Sequence, residues 1–163
     1  MDLGSLMFTK ILVPLDRSQQ ADDVFAKAIK TALDNSAQVM LFYALDWDFH
    51  MGLGMFDAIE METDLSGAFA NLQQAQIDEK FDEIRDWLKD YAEKAAEQHV
   101  SAQSRCAMGH PGLLICELAK AWDADLIILG RRGLGGVSEM LLGSVSNYVL
   151  HHVDCSVLVV QGP

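Results

Sequence analysis

The chain has 163 residues, which suits one globular domain with a substantial core and leaves little room for a second. Half of the residues are apolar and 22% are charged, so the composition excludes a disordered or a fibrous protein. The formal charge of −12 argues against nucleic acid and anionic membranes as partners, because both would repel this chain.

The first elements alternate between strand and helix. Residues 10–15 form a short apolar block closed by Asp16, which predicts a fully buried strand. Ser18 is a suitable N-cap for the following helix, in which apolar residues recur at helical spacing as far as Leu33. A second apolar run over 38–45 predicts another buried strand.

A Met-rich segment at about residues 47–67 interrupts this alternation. It carries Met51, Met55 and Met61 among other apolar side chains, which makes it too apolar for a plain linker. We interpret it as an insertion between a strand and a helix, within a single domain that spans residues 1–163. A lid, a partner surface and a capped loop all remain open as its role.

The rest of the chain continues the alternation. The pattern predicts, in order, helix 67–98, strand 100–108 at or near a sheet edge, helix 111–121, strand 126–129, helix 144–152 and strand 156–160. With right-handed crossovers this order gives an α/β fold, a doubly wound five-stranded parallel sheet with helices on both faces. Ligands of such sheets bind beyond the carboxyl ends of the strands, where the strand order reverses. Asp16, Asp46 and Gly130 all follow predicted strands and are expected to converge there.

Neither a membrane span nor a secretory leader is visible in the sequence. No apolar run approaches the length that a bilayer requires, and the first eight residues lack the basic and apolar regions of a signal peptide. Cys106, Cys116 and Cys155 are odd in number and are not spaced as metal ligands, which is typical of reduced thiols. The sequence therefore predicts a cytoplasmic protein without membrane insertion.

A glycine-rich segment near the C-terminus carries the strongest functional signal. Gly130 directly follows an apolar strand, and Gly143-Ser144 precedes a predicted helix. Glycine lets the backbone approach an anion closely, and the free N–H groups at a helix N-terminus attract it. The adjacent pair Arg131-Arg132 either adds positive charge to the site or is a solvated loop pair. The segment is typical of a nucleotide-phosphate site.

Three other phosphate-binding or phosphate-accepting folds do not fit. The chain has no G-x-x-x-x-G-K-[ST] motif, which excludes a P-loop NTPase. A dinucleotide-binding domain would carry its glycines directly after the first strand, where this chain reads Leu15-Asp16-Arg17. A receiver domain would show an acidic pair after the first strand and an Asp after the third, but the third predicted strand ends at Met108-Gly109.

The spacing of the glycines is similar to the signature of a known family. Gly130, Gly133, Gly143 and Ser144 form the pattern G-x2-G-x9-G-[S/T], which resembles the ATP-binding signature of the universal stress proteins. The resemblance extends over nearly the whole chain, from the first strand to the last. It implies an adenine nucleotide alpha hydrolase-like fold that binds ATP, ADP or AMP, with or without Mg²⁺. It also implies a homodimer, or a larger oligomer, paired through the C-terminal strand.

The resemblance further implies which residues hold the nucleotide. Asp16, with Pro14 and Leu15, would line the adenosine end, and the backbone of Ala44 would meet adenine. Ribose and phosphates would be held by Gly130, Arg131, Arg132, Gly133, Gly143, Ser144 and Val145. Alternatively, Asp16 only caps the first helix.

Three functions remain compatible with the sequence. The leading one is an ATP-binding regulatory or stress-response switch. The second is a slow ATPase, for which Arg131 or Arg132 would supply charge and Asp16 a metal ligand, although no general base is evident. The third is a nucleotide-free dimeric scaffold. The pair His151-His152 is expected to interact with a helix C-terminus rather than to bind a metal.

Overall fold

A computed structural model of the chain describes residues 8–46, 63–131 and 142–161. Within these ranges strands and helices alternate as the sequence predicts. The elements are β1 (Lys10–Pro14), α1 (Ala21–Asn35), β2 (Gln38–Leu45), α2 (Thr63–Glu97), β3 (Ala102–Met108), α3 (Pro111–Trp122), β4 (Leu126–Gly130), α4 (Ser144–His152) and β5 (Ser156–Val160).

The strands form one parallel sheet in the order β3-β2-β1-β4-β5. The chain builds the sheet outward from β1 to β3 and then returns to place β4 on the other side of β1. The strand order therefore reverses between β1 and β4. The predicted doubly wound parallel fold is confirmed, and so is the placement of the third strand at an edge of the sheet.

The sheet buries a separate hydrophobic cluster on each face. Alternate residues of β1 point in opposite directions, as the period of an extended strand requires. Ile11 and Val13 belong to the cluster that α1 and α2 cover, and Leu12 belongs to the one beneath α3 and α4. All three side chains are fully buried. Helices thus cover both faces, and burial of apolar surface holds the layers together.

The first helix begins later than the sequence predicts, so the assignment of Ser18 as its N-cap is wrong. The helix starts at Ala21, and its N-cap residue is Gln20. A tight turn precedes it, in which Asp16 Oδ1 accepts from Ser18 N (3.0 Å) and Ser18 Oγ accepts from Gln20 N (3.3 Å). Short polar side chains that bond the backbone two residues onward favour such turns over helix.

The second helix begins earlier than predicted, at Thr63 rather than near Gly67. Gly67 lies inside the helix on an exposed surface, with nothing within 4 Å of the position that a Cβ would take. A glycine there costs about 1 kcal/mol of helix stability without ending the helix. Residues 63–67 therefore belong to α2. The rest of the predicted Met-rich insertion, residues 47–62, lies outside the described residues.

The long helix α2 extends past the carboxyl edge of the sheet. Its 35 residues span about 52 Å, whereas the eight residues of β2 span about 26 Å. Near that edge Arg17 contacts Glu83, and Tyr43 contacts Trp87. The part of α2 that precedes Glu83 consequently continues beyond the edge, where the exposed fraction of Leu72 reaches 64%.

Candidate functional site

A crevice begins where β1 and β4 separate. These strands pair at only two positions, Ile11 with Leu126 and Leu12 with Ile127, whereas β1 pairs with β2 at five. Beyond Leu12 the backbones of β1 and β4 therefore diverge towards their carboxyl ends. This is the point at which the strand order reverses, which is where ligands of doubly wound sheets bind.

The residues predicted at the adenosine end lie on the β1 and β2 side of this crevice. Pro14 ends β1 opposite Phe42, and Asp16 follows in the turn before α1. Ala44 lies two residues beyond Phe42 on β2 and is partly buried. Leu15 differs from the others, because its side chain is 5% exposed and packs in the core beneath α1 and α2. Only its backbone remains near the edge.

The two ends of the glycine-rich segment meet on the β4 side. Arg131 N donates to Val160 O (2.9 Å), which continues the pairing of β4 with β5, and Arg131 O accepts from Gly143 N (2.8 Å). This second bond joins the end of β4 directly to the start of α4. The structure thus brings Gly130, Arg131, Gly143 and Ser144 together. Arg132 and Gly133 lie outside the described residues.

The N-cap residue of α4 supplies no side-chain cap. This residue is Gly143, which has no side chain, and the first helical bond runs from Asn147 N to Gly143 O (2.9 Å). The amides that precede Asn147, those of Ser144, Val145 and Ser146, have no acceptor within the helix. Val145 is partly buried and Ser144 is exposed. This helix end can receive an anion.

Helix α3 on the same face shows how the chain caps a helix when it does so itself. Pro111 occupies the first turn, where it has no N–H to satisfy, and His110 Nδ1 accepts from Leu113 N (3.4 Å). On this face of the sheet, α3 therefore has a side-chain cap, whereas the N-cap residue of α4 supplies none.

Arg131 carries a buried donor without an acceptor. Among the described residues, its Nε is the buried side-chain nitrogen or oxygen that lacks a hydrogen-bond partner. Unsatisfied buried donors are rare because each costs about 1–3 kcal/mol. A guanidinium nitrogen at the end of β4, beside uncapped helix amides, can donate to an anionic ligand.

An aromatic and charged cluster flanks the predicted adenosine end. Arg17 lies over the Trp87 ring at 5.9 Å, and the Trp87 ring meets that of Tyr43 edge to face at 5.8 Å. Burial raises the pKa of Tyr43; the charge of Arg17 partly opposes this shift, and that of Asp16 adds to it. The phenol therefore stays protonated, and the cluster ties the turn after β1 to α2.

A groove runs along the outer surface of α4 and begins at its first residue, Ser144. Its volume is about 280 Å³, and it is lined by Ser144, Asn147, Tyr148, His151 and His152. Both histidines lie in the last turn of α4 and place Nδ1 at 2.7 Å from the carbonyl oxygen four residues earlier, that of Asn147 for His151 and of Tyr148 for His152. The rings of Tyr148 and His152 already stack on each other at 3.9 Å, which leaves no space between them for a planar ligand.

Sequence reasoning missed Ser146. This residue is 3% exposed, and its hydroxyl donates to Gly130 O at 2.6 Å. A signal was available, because Ser146, Val149 and Val153 follow one another at helical spacing and mark the buried face of α4. The identity of the acceptor, sixteen residues earlier in the chain, could not be predicted.

Over 8–46, 63–131 and 142–161, no group of three or more His, Cys, Asp or Glu side chains could hold a metal ion. No helix in those same ranges is both long and apolar enough to cross a bilayer.

Comparison with known proteins identifies the family. The family model described as "Universal stress protein family" matches residues 7–161. The chain belongs to the universal stress protein family. It is 41% identical over 154 residues to the universal stress protein Sll1388 of Synechocystis, with 94% of this chain and 98% of that protein covered.

Solved structures of other family members and of a protein of similar fold share the architecture. Hypothetical protein MJ0577 superposes with a TM-score of 0.80 at 20% identity, covering 97% of this chain and 99% of its own. A universal stress protein in complex with cAMP gives a TM-score of 0.65 at 20% identity, over 95% and 98% of the two chains. One from Archaeoglobus fulgidus in complex with dAMP gives 0.60 at 16% identity, over 94% and 98%. The last two proteins bind adenine nucleotides.

Proposed function

We propose that this chain binds ATP in the crevice between the carboxyl ends of β1 and β4 and acts as a nucleotide-dependent regulatory protein. The observation that carries the proposal is the uncapped N-terminus of α4, bonded to the end of β4 through Gly143 N and Arg131 O (2.8 Å). The two similar proteins that hold cAMP and dAMP support an adenine nucleotide as the ligand.

Each end of the crevice fits one part of a nucleotide. The amides of Ser144 and Val145, with the unpartnered Nε of Arg131, are donors suited to phosphate oxygens. A hydrogen bond to a charged group contributes about 1.5–3 kcal/mol, so three or four such bonds support micromolar binding after the cost of immobilising the ligand. On the other side, Asp16 is the acceptor proposed for a ribose hydroxyl or the adenine amine, and the backbone of Ala44 for the adenine edge.

The phosphate contacts assigned to Arg132 and Gly133 remain proposals that rest on the glycine spacing alone. The same holds for Mg²⁺, for which Asp16 is the proposed ligand. We expect ATP to be held without efficient turnover, because the sequence offers no evident general base to activate a water molecule. A cytoplasmic location likewise stays a prediction.

We further propose a homodimer paired through β5. This strand is the edge of the sheet beside β4, and its other edge has no partner strand in the described chain. Val157 and Val159 are partly buried, and Leu158 is 37% exposed. Unpaired edges of this kind bind other strands readily. Sedimentation of the wild-type chain and of Leu158→Lys tests this: a dimer that persists in the variant contradicts pairing through β5.

The test of nucleotide binding uses the full-length purified protein. It is denatured, and the released small molecules are separated by chromatography; the remaining sample is titrated with ATP, ADP and AMP while free phosphate is measured. We expect bound or titratable adenine nucleotide without phosphate release. Phosphate released well above background would identify a slow ATPase. If the protein retains no nucleotide and binds none of the three, the proposal is contradicted, and the dimeric scaffold remains as the function.

A further inference from the structure

The separation of β1 from β4 leaves a backbone carbonyl without its strand partner. The peptide between Gly130 and Arg131 directs its N–H to Val160 O on β5. Because a trans peptide points its C=O and N–H in opposite directions, Gly130 C=O faces the β1 side. The last β1–β4 pair is Leu12 with Ile127, so no backbone amide of β1 pairs with this carbonyl.

The hydroxyl of Ser146 takes the place of the missing strand. Its Oγ donates to Gly130 O at 2.6 Å and approaches Arg131 O at 3.5 Å. The side chain lies in the first turn of α4 and is 3% exposed. Among the described residues, Ser146 is the polar residue that is buried with the core. Together with the bond from Gly143 N to Arg131 O, it fastens that first turn to β4 at two adjacent carbonyls.

We propose that Ser146 is a positioning residue for the phosphate end of the nucleotide. This inference rests on the proposed function. The hydroxyl holds the first turn of α4 at a fixed distance from the end of β4, and so aims the amides of Ser144 and Val145 into the crevice. Ser146 itself needs no contact with the ligand, because its hydrogen is already donated to Gly130 O.

The expected consequence is selective for phosphate. The residues proposed at the adenosine end, Asp16 and Ala44, lie on the β1 and β2 side of the crevice, whereas Ser146 lies on the β4 side. Loosening the first turn of α4 should therefore weaken the binding of ATP and leave the binding of adenosine unchanged. A purely structural role would lower stability and weaken both ligands equally.

The test compares nucleotide-free wild-type protein with Ser146→Ala and Ser146→Thr by calorimetric titration with ATP and with adenosine. We expect Ser146→Ala to lower the affinity for ATP about two- to tenfold, which is the range for one lost hydrogen bond. The affinity for adenosine should change by less than about twofold. Ser146→Thr retains the hydroxyl and should bind ATP as the wild type does. The control is Tyr91→Phe, which removes a partly buried hydrogen bond on the other face of the sheet and should change the affinity for neither ligand.

Three results would overturn the proposal: an unchanged ATP affinity in Ser146→Ala, an equal loss of adenosine affinity, or a Ser146→Thr protein as impaired as Ser146→Ala. Should Ser146→Ala not fold, Ser146→Cys replaces it, because a thiol of similar size is only a weak donor. A wild-type protein that binds ATP but shows any of these results contradicts the role of Ser146 alone. A wild-type protein that binds no nucleotide contradicts the proposed function and this role together.

Discussion

The two ends of the β1–β4 pair treat their polar groups in opposite ways. At the amino end, the Asp125 carboxylate accepts from Thr9 N (2.7 Å), Thr9 Oγ1 (2.8 Å) and Lys10 N (3.2 and 3.3 Å). At the carboxyl end, among the residues that the structure describes, the N-cap residue of α4 supplies no side-chain cap and Arg131 Nε has no hydrogen-bond partner. At the amino end of the β1–β4 pair, the donors are satisfied by the carboxylate of Asp125. At the carboxyl end, hydrogen-bond donors remain without an acceptor from the described chain.

This difference separates stability from binding. A protein that only needed to fold would gain from capping α4, since an N-cap side chain stabilises a helix by about 1 kcal/mol. The chain places an acceptor side chain, that of Asp125, at the amino end of the strand pair, and a glycine, Gly143, at the carboxyl end. We infer that changes at Asp125 should alter folding, whereas changes at the carboxyl end should alter ligand affinity.

The largest effect is expected when the open end is given an anion of its own. Gly143 has φ −59° and ψ 157°, a conformation that any residue can adopt, so Gly143→Asp is compatible with the backbone. Its carboxylate would cap α4 and repel a phosphate at about 4 Å by about 4 kcal/mol before salt screening. We expect ATP affinity to fall at least about a hundredfold and the free energy of unfolding to stay equal or rise, as measured by titration and urea denaturation.

The matched control is Gly143→Asn, which offers the same cap without the charge. It should lose much less ATP affinity than the Asp variant, because it competes for an amide but does not repel the ligand. Equal affinities for Asp, Asn and wild-type proteins would show that no anion binds at this helix end.

The converse change opens the saturated end. Removing the carboxylate in Asp125→Ala leaves the amides of Thr9 and Lys10 without their acceptor, and the free energy of unfolding should fall by about 2 kcal/mol. ATP affinity of the folded protein should change by less than about twofold. Urea denaturation and calorimetric titration measure the two quantities. The exposed Asp154→Ala is the control and should alter neither; a loss of ATP affinity in Asp125→Ala without a loss of stability would contradict the division.

Much of the fold could be predicted because each element carries its own periodicity. The apolar runs of β1, β2 and β4 lie between helices that cover both faces, so all four residues of 126–129 are buried. The errors fell where local turn chemistry competes with helix. The turn from Asp16 to Gln20 delays α1, and Gly67 does not mark the start of α2 because its position is exposed.

The site could be predicted only as far as backbone amides and glycine spacing define it. Gly130, Gly143 and Ser144 lie together because strand order and chain direction require it. The separation of β1 from β4 depends on strand register, and the role of Ser146 depends on that separation. Neither follows from the pattern of a single segment. Leu15 shows that a side chain can be wrongly included as well as missed. Its neighbours Pro14 and Asp16 are site candidates, but its own side chain belongs to the core.

A smaller effect is expected for the unpartnered donor. In Arg131→Met the buried Nε is removed while a side chain of similar length is kept, so the free energy of unfolding should not fall. ATP affinity should drop about tenfold through the lost charge-assisted hydrogen bond. Arg131→Lys retains the charge without Nε and should recover only part of that loss. A variant that loses stability but keeps its ATP affinity would show that Arg131 contributes to folding and not to ligand binding.

The smallest effect tests whether a saturated contact far from both ends affects folding alone. Tyr91 Oη donates to Asp22 Oδ1 at 2.7 Å and joins α2 to α1. Burial, then the hydrogen bond to Asp22 and its charge, raise the pKa of Tyr91 well above its ordinary value. A raised pKa means that the fold favours the protonated phenol. This contribution to stability is therefore complete below about pH 10, the pKa of a tyrosine in the unfolded chain, and is lost as the pH rises above it.

We expect Tyr91→Phe to lower the free energy of unfolding by about 1 kcal/mol at pH 7. The difference from the wild type should shrink as the pH is raised past about 10, because the unfolded wild-type chain then gains by ionising Tyr91 and the variant cannot. Urea denaturation of both proteins between pH 7 and about 10.5 measures this, and ATP affinity at pH 7 should be equal in both. A pH-independent difference would show that the fold does not favour the protonated phenol of Tyr91, which contradicts the role given to its bond with Asp22. Reduced ATP affinity would show that contacts on this face reach the crevice, and the separation of folding from binding would then fail.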